Sequence, residues 1–184
     1  MFDHLDPDLT SMVVGAEESE AISACLDRLM VDTGASYIML LDRAGQVLSW
    51  KGDAPRPEMT HLGALLAGSY ASSREMARLL KEDNFRVLVQ EGARERVFTE
   101  TVEDRWLLVV VFDHQAHLGL VKVLAKRATQ SLSGVLHVVI ERNHDRRSRI
   151  TGELRRAAVD TIDLIFSQDD RATESRSTDK KQWP

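Results

Sequence analysis

The sequence predicts an α+β protein in which helices pack on the faces of a five-stranded antiparallel sheet. Three long segments repeat apolar residues at helical spacing, and five short apolar segments are bounded by turn residues. The strands come as one hairpin and one meander, so no parallel crossover is needed. The predicted elements are, in order, a helix from Glu17 to Thr33, strands at Ala35–Asp42 and Val47–Lys51, a helix from Pro57 or Glu58 to Lys81, strands at Phe85–Glu91, Arg96–Thr101 and Trp106–Asp113, and a helix from Leu118 to Asn143.

The first helix and the hairpin after it are marked by their ends. Ile22, Leu26 and Leu29 recur at helical spacing, and Gly34 stands where a left-handed residue commonly ends a helix. Residues 43–46, Arg-Ala-Gly-Gln, predict the tight turn that joins the first two strands.

The second helix carries two different stripes of residues. Small residues let another backbone approach closely, and Gly68 costs about 1 kcal/mol of helix propensity relative to alanine. The small stripe therefore favours a partner-facing role, although packing on the protein's own sheet is an alternative. The first stripe is Leu62, Leu66, Ser69, Met76 and Leu80, and the small stripe is Ala64, Gly68, Ala71 and Ser72.

The strand patterns predict positions in the sheet. Trp106–Asp113 is apolar on both faces, which is typical of a central strand, and Ala35–Asp42 has the same character and is expected beside it. Phe85–Glu91 alternates apolar and polar residues, as an edge strand does. An exposed edge pairs easily with other strands, and a second copy of the chain would cover it.

The sequence predicts one folded domain with flexible ends. We expect a flexible N-terminus at 1–15, the domain at 16–143, a charged linker at 144–156, an amphipathic helix at 157–167 and a disordered tail at 168–184. The 157–167 helix presents apolar residues on one side and either folds back on its own domain or docks on a partner.

Composition excludes several classes of protein. The chain has 184 residues and a net charge of -5, which argues against nucleic-acid binding. No apolar run approaches the roughly 18 residues needed to insert across a membrane. No basic residue precedes an apolar run near the N-terminus, and Cys25 is the only cysteine, so we expect a cytoplasmic protein without a disulfide.

A set of short motifs occurs in fixed order along residues 18–142. They are Leu40-Leu41-Asp42-Arg43 with Gly45, Leu65-Leu66-Ala67-Gly68 with Ala71, Ala77, Leu79 and Leu80 before Phe85, Glu91-Gly92, Leu107–Asp113, and Leu118-Gly119-Leu120-Val121-Lys122. Together they resemble the roadblock family of dynein-light-chain relatives and, within it, the bacterial MglB proteins. The segment Asp160–Ser167 resembles a short C-terminal helix that some MglB proteins carry.

The resemblance implies a fold and a function. The fold is a roadblock/profilin-like α/β/α sandwich that forms a homodimer through the long middle helix and the third strand. The paired helices present a platform to MglA, a small Ras-like GTPase of bacterial polarity and gliding motility, and accelerate its GTP hydrolysis without a catalytic residue of their own. No cofactor or metal is implied, and the expected place is the cytoplasm, including a cell pole.

The resemblance also implies site residues. GTPase-binding residues are expected at Ala64, Gly68, Ala71, Ser72 and Glu75, dimer-interface residues at Leu65, Tyr70, Phe85, Val87 and Val89, and C-terminal helix contacts at Ile162, Asp163, Ile165 and Phe166. Two positions depart from the family pattern, because Glu75 replaces a small residue of some relatives and Lys81 replaces a frequent glycine. These departures favour an alternative, a non-activating scaffold or adaptor that holds a GTPase or another roadblock protein.

Other candidate residues have simpler structural explanations. Arg74 or Arg78 could act as an arginine finger, but helical arginines are usually solvated surface groups. The run 113–117 contains Asp113, His114 and His117, which are metal-ligand types, although turn and capping roles are commoner before a helix. Cys25 lies on the buried stripe of the first helix and is expected to be a structural thiol. The sequence contains neither a phosphate-binding loop nor a nucleophile elbow, so we expect no GTP binding and no hydrolase activity of its own.

Overall fold

The computed structural model describes residues 14–52, 56–144 and 156. The chain divides into two compact units, Met1–Ile140 and Glu141–Pro184, and the described residues of the second unit are all helical. The elements are α1 (Ala16–Thr33), β1 (Tyr37–Asp42), β2 (Val47–Gly52), α2 (Arg56–Leu79), β3 (Val87–Glu91), β4 (Glu95–Val102) and β5 (Trp106–Asp113), followed by a helix, α3, that begins at residue 118.

The five strands form one antiparallel sheet in the order β2-β1-β5-β4-β3. The apolar strands β1 and β5 lie at its centre, and β1 pairs with β5 along its whole length, from Tyr37 opposite Val111 to Asp42 opposite Trp106. Both central positions and the edge position of β3 are therefore as predicted. The predicted α+β fold and element order are confirmed.

Side chains alternate between the two faces of the sheet and build two apolar layers. On one face, Ile38, Leu40 and Leu108 pack beneath α1 and α3. On the other face, Met39, Leu41 and Val109 pack beneath α2 alone. No other described element covers α2, so its opposite side is open to solvent.

The ends of several elements differ from the predicted bounds for physical reasons. β3 begins at Val87 rather than Phe85, since its pairing with β4 begins with Val87 opposite Glu100. α2 ends at Leu79, and Lys81 adopts a left-handed conformation with φ of 60°, at the position where the resemblance implies a frequent glycine. Gly34 ends α1 in the left-handed conformation that was predicted.

The predicted linker, C-terminal helix and disordered tail lie almost entirely outside the described residues, as does most of the flexible N-terminus. In the described part of the chain, no helix is long and apolar enough to cross a membrane.

Candidate functional site

One side of α2 is anchored in the protein by small and apolar residues. Leu66, Tyr70 and Ala77 are buried against the sheet. Beside them, Gly63 touches the β1–β2 turn, where a Cβ atom on Gly63 would lie 2.7 Å from the carbonyl oxygen of Gly45. This contact places one flank of α2 beside the β1–β2 hairpin. Because β2 and β3 are opposite edges of the sheet, the other flank of α2 faces the β3 edge.

The opposite, outer side of α2 is a solvent-facing surface of small and polar residues. A Cβ atom on Gly68 would meet nothing within 4 Å, so the small stripe does not pack on the protein's own sheet. The Ser72 hydroxyl donates to the carbonyl oxygen of Gly68 at 3.0 Å, and Glu75 pairs with Arg78 at 2.8 Å. All five residues expected to bind a GTPase are exposed on this outer face, namely Ala64, Gly68, Ala71, Ser72 and Glu75.

An apolar flank borders this outer face. Large side chains that would normally be buried are open to water here, with Leu65 72% and Leu79 84% exposed. At 100° per residue, Leu65 and Met76 fall on the side of α2 that faces the β3 edge. Val87 at the start of β3 is also exposed. We call Leu65, Met76, Leu79 and Leu80 the apolar flank.

The expected dimer-interface residues fall into two groups. Leu65 and Val87 lie open on the apolar flank and the β3 edge. Tyr70 is instead 3% exposed, and its hydroxyl accepts a hydrogen bond from Asn84 Nδ2 at 2.7 Å. Tyr70 therefore belongs to the core of its own chain. Val89 also packs against the protein's own core, and Phe85 is half-buried just before β3.

The other candidate residues have local structural roles. The carboxylate of Asp113 accepts the backbone N–H of Gln115 at 2.8 Å, and His114 Nε2 lies 3.2 Å from the carbonyl oxygen of Ala93, which are the turn roles favoured by the sequence. Within the described ranges, no group of three or more His, Cys, Asp or Glu residues could hold a metal ion. Burial raises the pKa of the Cys25 thiol, with Arg28 opposing it, as expected for a structural thiol rather than a nucleophile.

A polar feature that the sequence did not reveal lies at the end of the sheet formed by the β1–β2 and β4–β5 turns. Arg43 in the β1–β2 turn lies close enough to Arg74 on α2 and Arg105 in the β4–β5 turn for their charges to interact. The three residues are 31 or more positions apart in sequence, so only the fold brings them together.

Comparisons with known proteins agree with this geometry. The chain matches the model of the Roadblock/LC7 domain over residues 22–112. It is 34% identical to Myxococcus xanthus MglB, with a TM-score of 0.65 over 69% of this chain and 96% of that chain. It is 36% identical to the gliding protein MglB of Thermus thermophilus, with a TM-score of 0.64 over 68% of this chain and 95% of that chain. A third structure, described as MglB with tetrameric arrangement, is 34% identical, with a TM-score of 0.65 over 71% of this chain and 97% of that chain.

The described architecture is that of a roadblock-type α+β sandwich. The chain belongs to the Roadblock/LC7 family and, among the solved structures, is similar to bacterial MglB proteins. The comparison with curated proteins gave no match.

Proposed function

We propose that this protein is a homodimeric, MglB-like regulator of a small Ras-like GTPase of the MglA type. In this proposal it accelerates GTP hydrolysis by docking the GTPase on the outer faces of paired α2 helices. The observation that carries the proposal is the exposed small-residue surface centred on Gly68, which has open space where a side chain would stand. Similarity to MglB structures supports the choice of partner.

The apolar flank and the β3 edge support the homodimer. Leu65 and Leu79 expose apolar area that favours burial against another protein surface. β3 has a paired neighbour on one side only, so its other side can accept a strand from a second copy. A two-fold axis beside the apolar flank would bring two α2 helices together and place both outer faces on the same side.

The activating effect would come from binding rather than from a residue that enters the GTPase active site. A regulator shifts a switch equilibrium only by its differential affinity for the two states. Arg78 is engaged with Glu75 on α2, which leaves it poorly placed as an arginine finger. The GTPase would supply the catalytic groups, and this protein would stabilise the hydrolysis-ready arrangement of its switch segments.

The alternative is a roadblock scaffold that binds the GTPase without activating it. The Glu75–Arg78 pair favours this alternative, because it puts a charged pair at the edge of an otherwise small-residue surface. Single-turnover GTP hydrolysis by an MglA-type GTPase, with and without this protein, separates the two. A faster single turnover supports activation. Binding to the GTP-loaded form without any change in rate supports the scaffold.

The cellular role and the C-terminal segment follow from the same proposal. We propose that the protein acts in the cytoplasm, including a cell pole, and regulates polarity and gliding motility. Its similarity to a protein named as the gliding protein MglB supports the motility role. We also propose that Ile162, Asp163, Ile165 and Phe166 contact the GTPase away from its active site. These four residues lie outside the described ranges.

A further inference from the structure

Three arginines from distant segments lie at one end of the sheet, where Arg74 and Arg105 are both close enough to Arg43 for their charges to act on it. Arg43 follows β1, Arg105 precedes β5, and the pairing of Asp42 with Trp106 brings these two turns together. Arg74 approaches from α2, on the flank that also touches the β1–β2 turn at Gly63. All three arginines are half-buried, and we call them the arginine cluster.

Two of the charges that act on Arg43 are positive, those of Arg74 and Arg105. None of the described ion pairs involves Arg43, Arg74 or Arg105. Burial lowers the pKa of Arg43, the positive charge of Arg74 lowers it further, and Asp104 opposes this. Arginine stays charged in spite of such a shift, so the repulsion of Arg43 by Arg74 and Arg105 destabilises the folded state.

Unsatisfied polar atoms lie in the same region. Arg43 Nε is buried with no hydrogen-bond partner among the described residues, and so is the side-chain oxygen of Asn84. The Asn84 amide nitrogen donates to Tyr70 at 2.7 Å and lies 3.4 Å from the carboxylate of Asp104. Asp104 is the one carboxylate among the charges that act on Arg43, and it is shared with this amide. Arg43 Nε has lost water without gaining a partner, which costs the fold free energy.

We propose that the arginine cluster is a binding site for a carboxylate side chain of a protein docked on the outer face of α2. Guanidinium groups match carboxylates in shape, with two parallel N–H donors for two oxygens. Arg74 stands one helical turn from Ala71 and next to Glu75, so the cluster is continuous with the outer face. The cluster lies on the α2 flank opposite the apolar flank, which leaves it accessible when two copies pair.

This inference rests on the proposed function and names the contact that would orient the GTPase. A carboxylate held at one end of the sheet fixes which way the GTPase lies across α2. Small residues allow close approach but do not determine the orientation of the partner. Charged groups at an interface do determine that orientation, and they also speed association.

The test is the affinity of the full chain for an MglA-type GTPase loaded with a non-hydrolysable GTP analogue. Arg74→Gln and Arg105→Gln are each expected to weaken binding about tenfold, the typical effect of losing a hydrogen bond to a charged group. Arg94→Gln is the matched control, because it removes the same charge from the β3–β4 turn at the other end of the sheet. Arg74→Lys keeps the charge but loses the two parallel N–H donors of the guanidinium group. Its affinity for the GTPase should therefore fall between those of wild type and Arg74→Gln.

A second measurement separates a specific anion site at the cluster from general screening of charge. Inorganic phosphate, added at constant ionic strength, should compete for the cluster and weaken wild-type binding more than binding of the double variant Arg74→Gln/Arg105→Gln. Equal weakening would contradict the inference. The inference is also overturned if wild type binds the GTPase and both single variants bind as tightly. If wild type neither binds nor stimulates the GTPase, the proposed function itself fails and this contact fails with it.

Discussion

Gly45 and Gly63 meet backbone to backbone, with only 2.7 Å between the Gly45 carbonyl oxygen and the place of a Cβ atom on Gly63. This contact fixes how far α2 lies from the β1–β2 turn. It therefore determines the positions of both the outer face and Arg74 relative to the sheet.

Gly63→Ala should destabilise the protein, because neither backbone can move away cheaply. Overpacking of this kind costs about 1–3 kcal/mol. Gly68→Ala is the control on the same helix. A Cβ atom there meets open space, so the alanine should stabilise the protein by up to about 1 kcal/mol through helix propensity. Urea denaturation measures both, and a shift of the same sign for the two variants would contradict the packing described here.

Lys81→Gly should stabilise the protein by about 1 kcal/mol. Lys81 has a φ of 60°, a conformation that glycine adopts without the steric cost paid by other residues. Lys81→Ala is the control, since it removes the long side chain but keeps a Cβ atom in the strained conformation. Thermal and urea unfolding should rank glycine above both wild type and alanine. Equal stability of the glycine and alanine variants would show that the left-handed conformation is not what costs free energy.

The sequence predicted the centre of the molecule better than its edges. Trp106–Asp113 was predicted to the residue, because a strand buried on both faces is apolar throughout. Met76 and Leu80 fit a helical stripe with Leu66, yet they are exposed, since hydrophobicity alone does not distinguish the protein's own core from an open surface. For the same reason Tyr70 was expected at an interface and lies in the core.

The arginine cluster could not have been predicted from the sequence. Arg43 and Arg105 stand in two turns of ordinary composition, and their proximity depends on the pairing of β1 with β5. The outer face was easier to predict, because its residues repeat along one helix.

Glu100→Gln should stabilise the protein more at neutral than at acidic pH. Burial raises the pKa of Glu100 above its ordinary value of 4.5, although Arg86 and Lys126 oppose the shift. The folded state therefore holds the proton more tightly than the unfolded state, and the native carboxyl costs stability as the pH rises through 4.5 toward the folded-state pKa. At a pH below 4.5 the carboxyl is protonated in both the folded and the unfolded state, so its replacement by glutamine no longer changes stability through ionisation.

Urea unfolding of wild type and Glu100→Gln across the pH range checks this expectation. The difference in unfolding free energy between them should grow as the pH rises from about 4 toward the folded-state pKa of Glu100, and then become constant. A difference that stays constant with pH would mean that Glu100 is not held in a desolvated site.

Leu65→Glu should convert the proposed homodimer into monomers, because it places a charge on the apolar flank where two copies would meet. Val31→Glu is the matched control, since Val31 is 78% exposed but lies on α1 in the opposite layer. Light scattering should give the single-chain mass of 20.7 kDa for the Leu65 variant and twice that mass for the control. A wild-type protein that is already monomeric would show that the α2 helices of two copies do not pair.

The central claim is that a GTPase docks on the outer face of α2, and Gly68→Arg tests it most directly. The arginine side chain has open space in the chain itself, so the variant should fold and dimerise as wild type does. We predict that it loses at least about a hundredfold in affinity for the GTP-loaded GTPase, as expected when a bulky charge is placed at the centre of an interface. Undiminished binding by a folded, dimeric Gly68→Arg variant would show that the GTPase docks elsewhere.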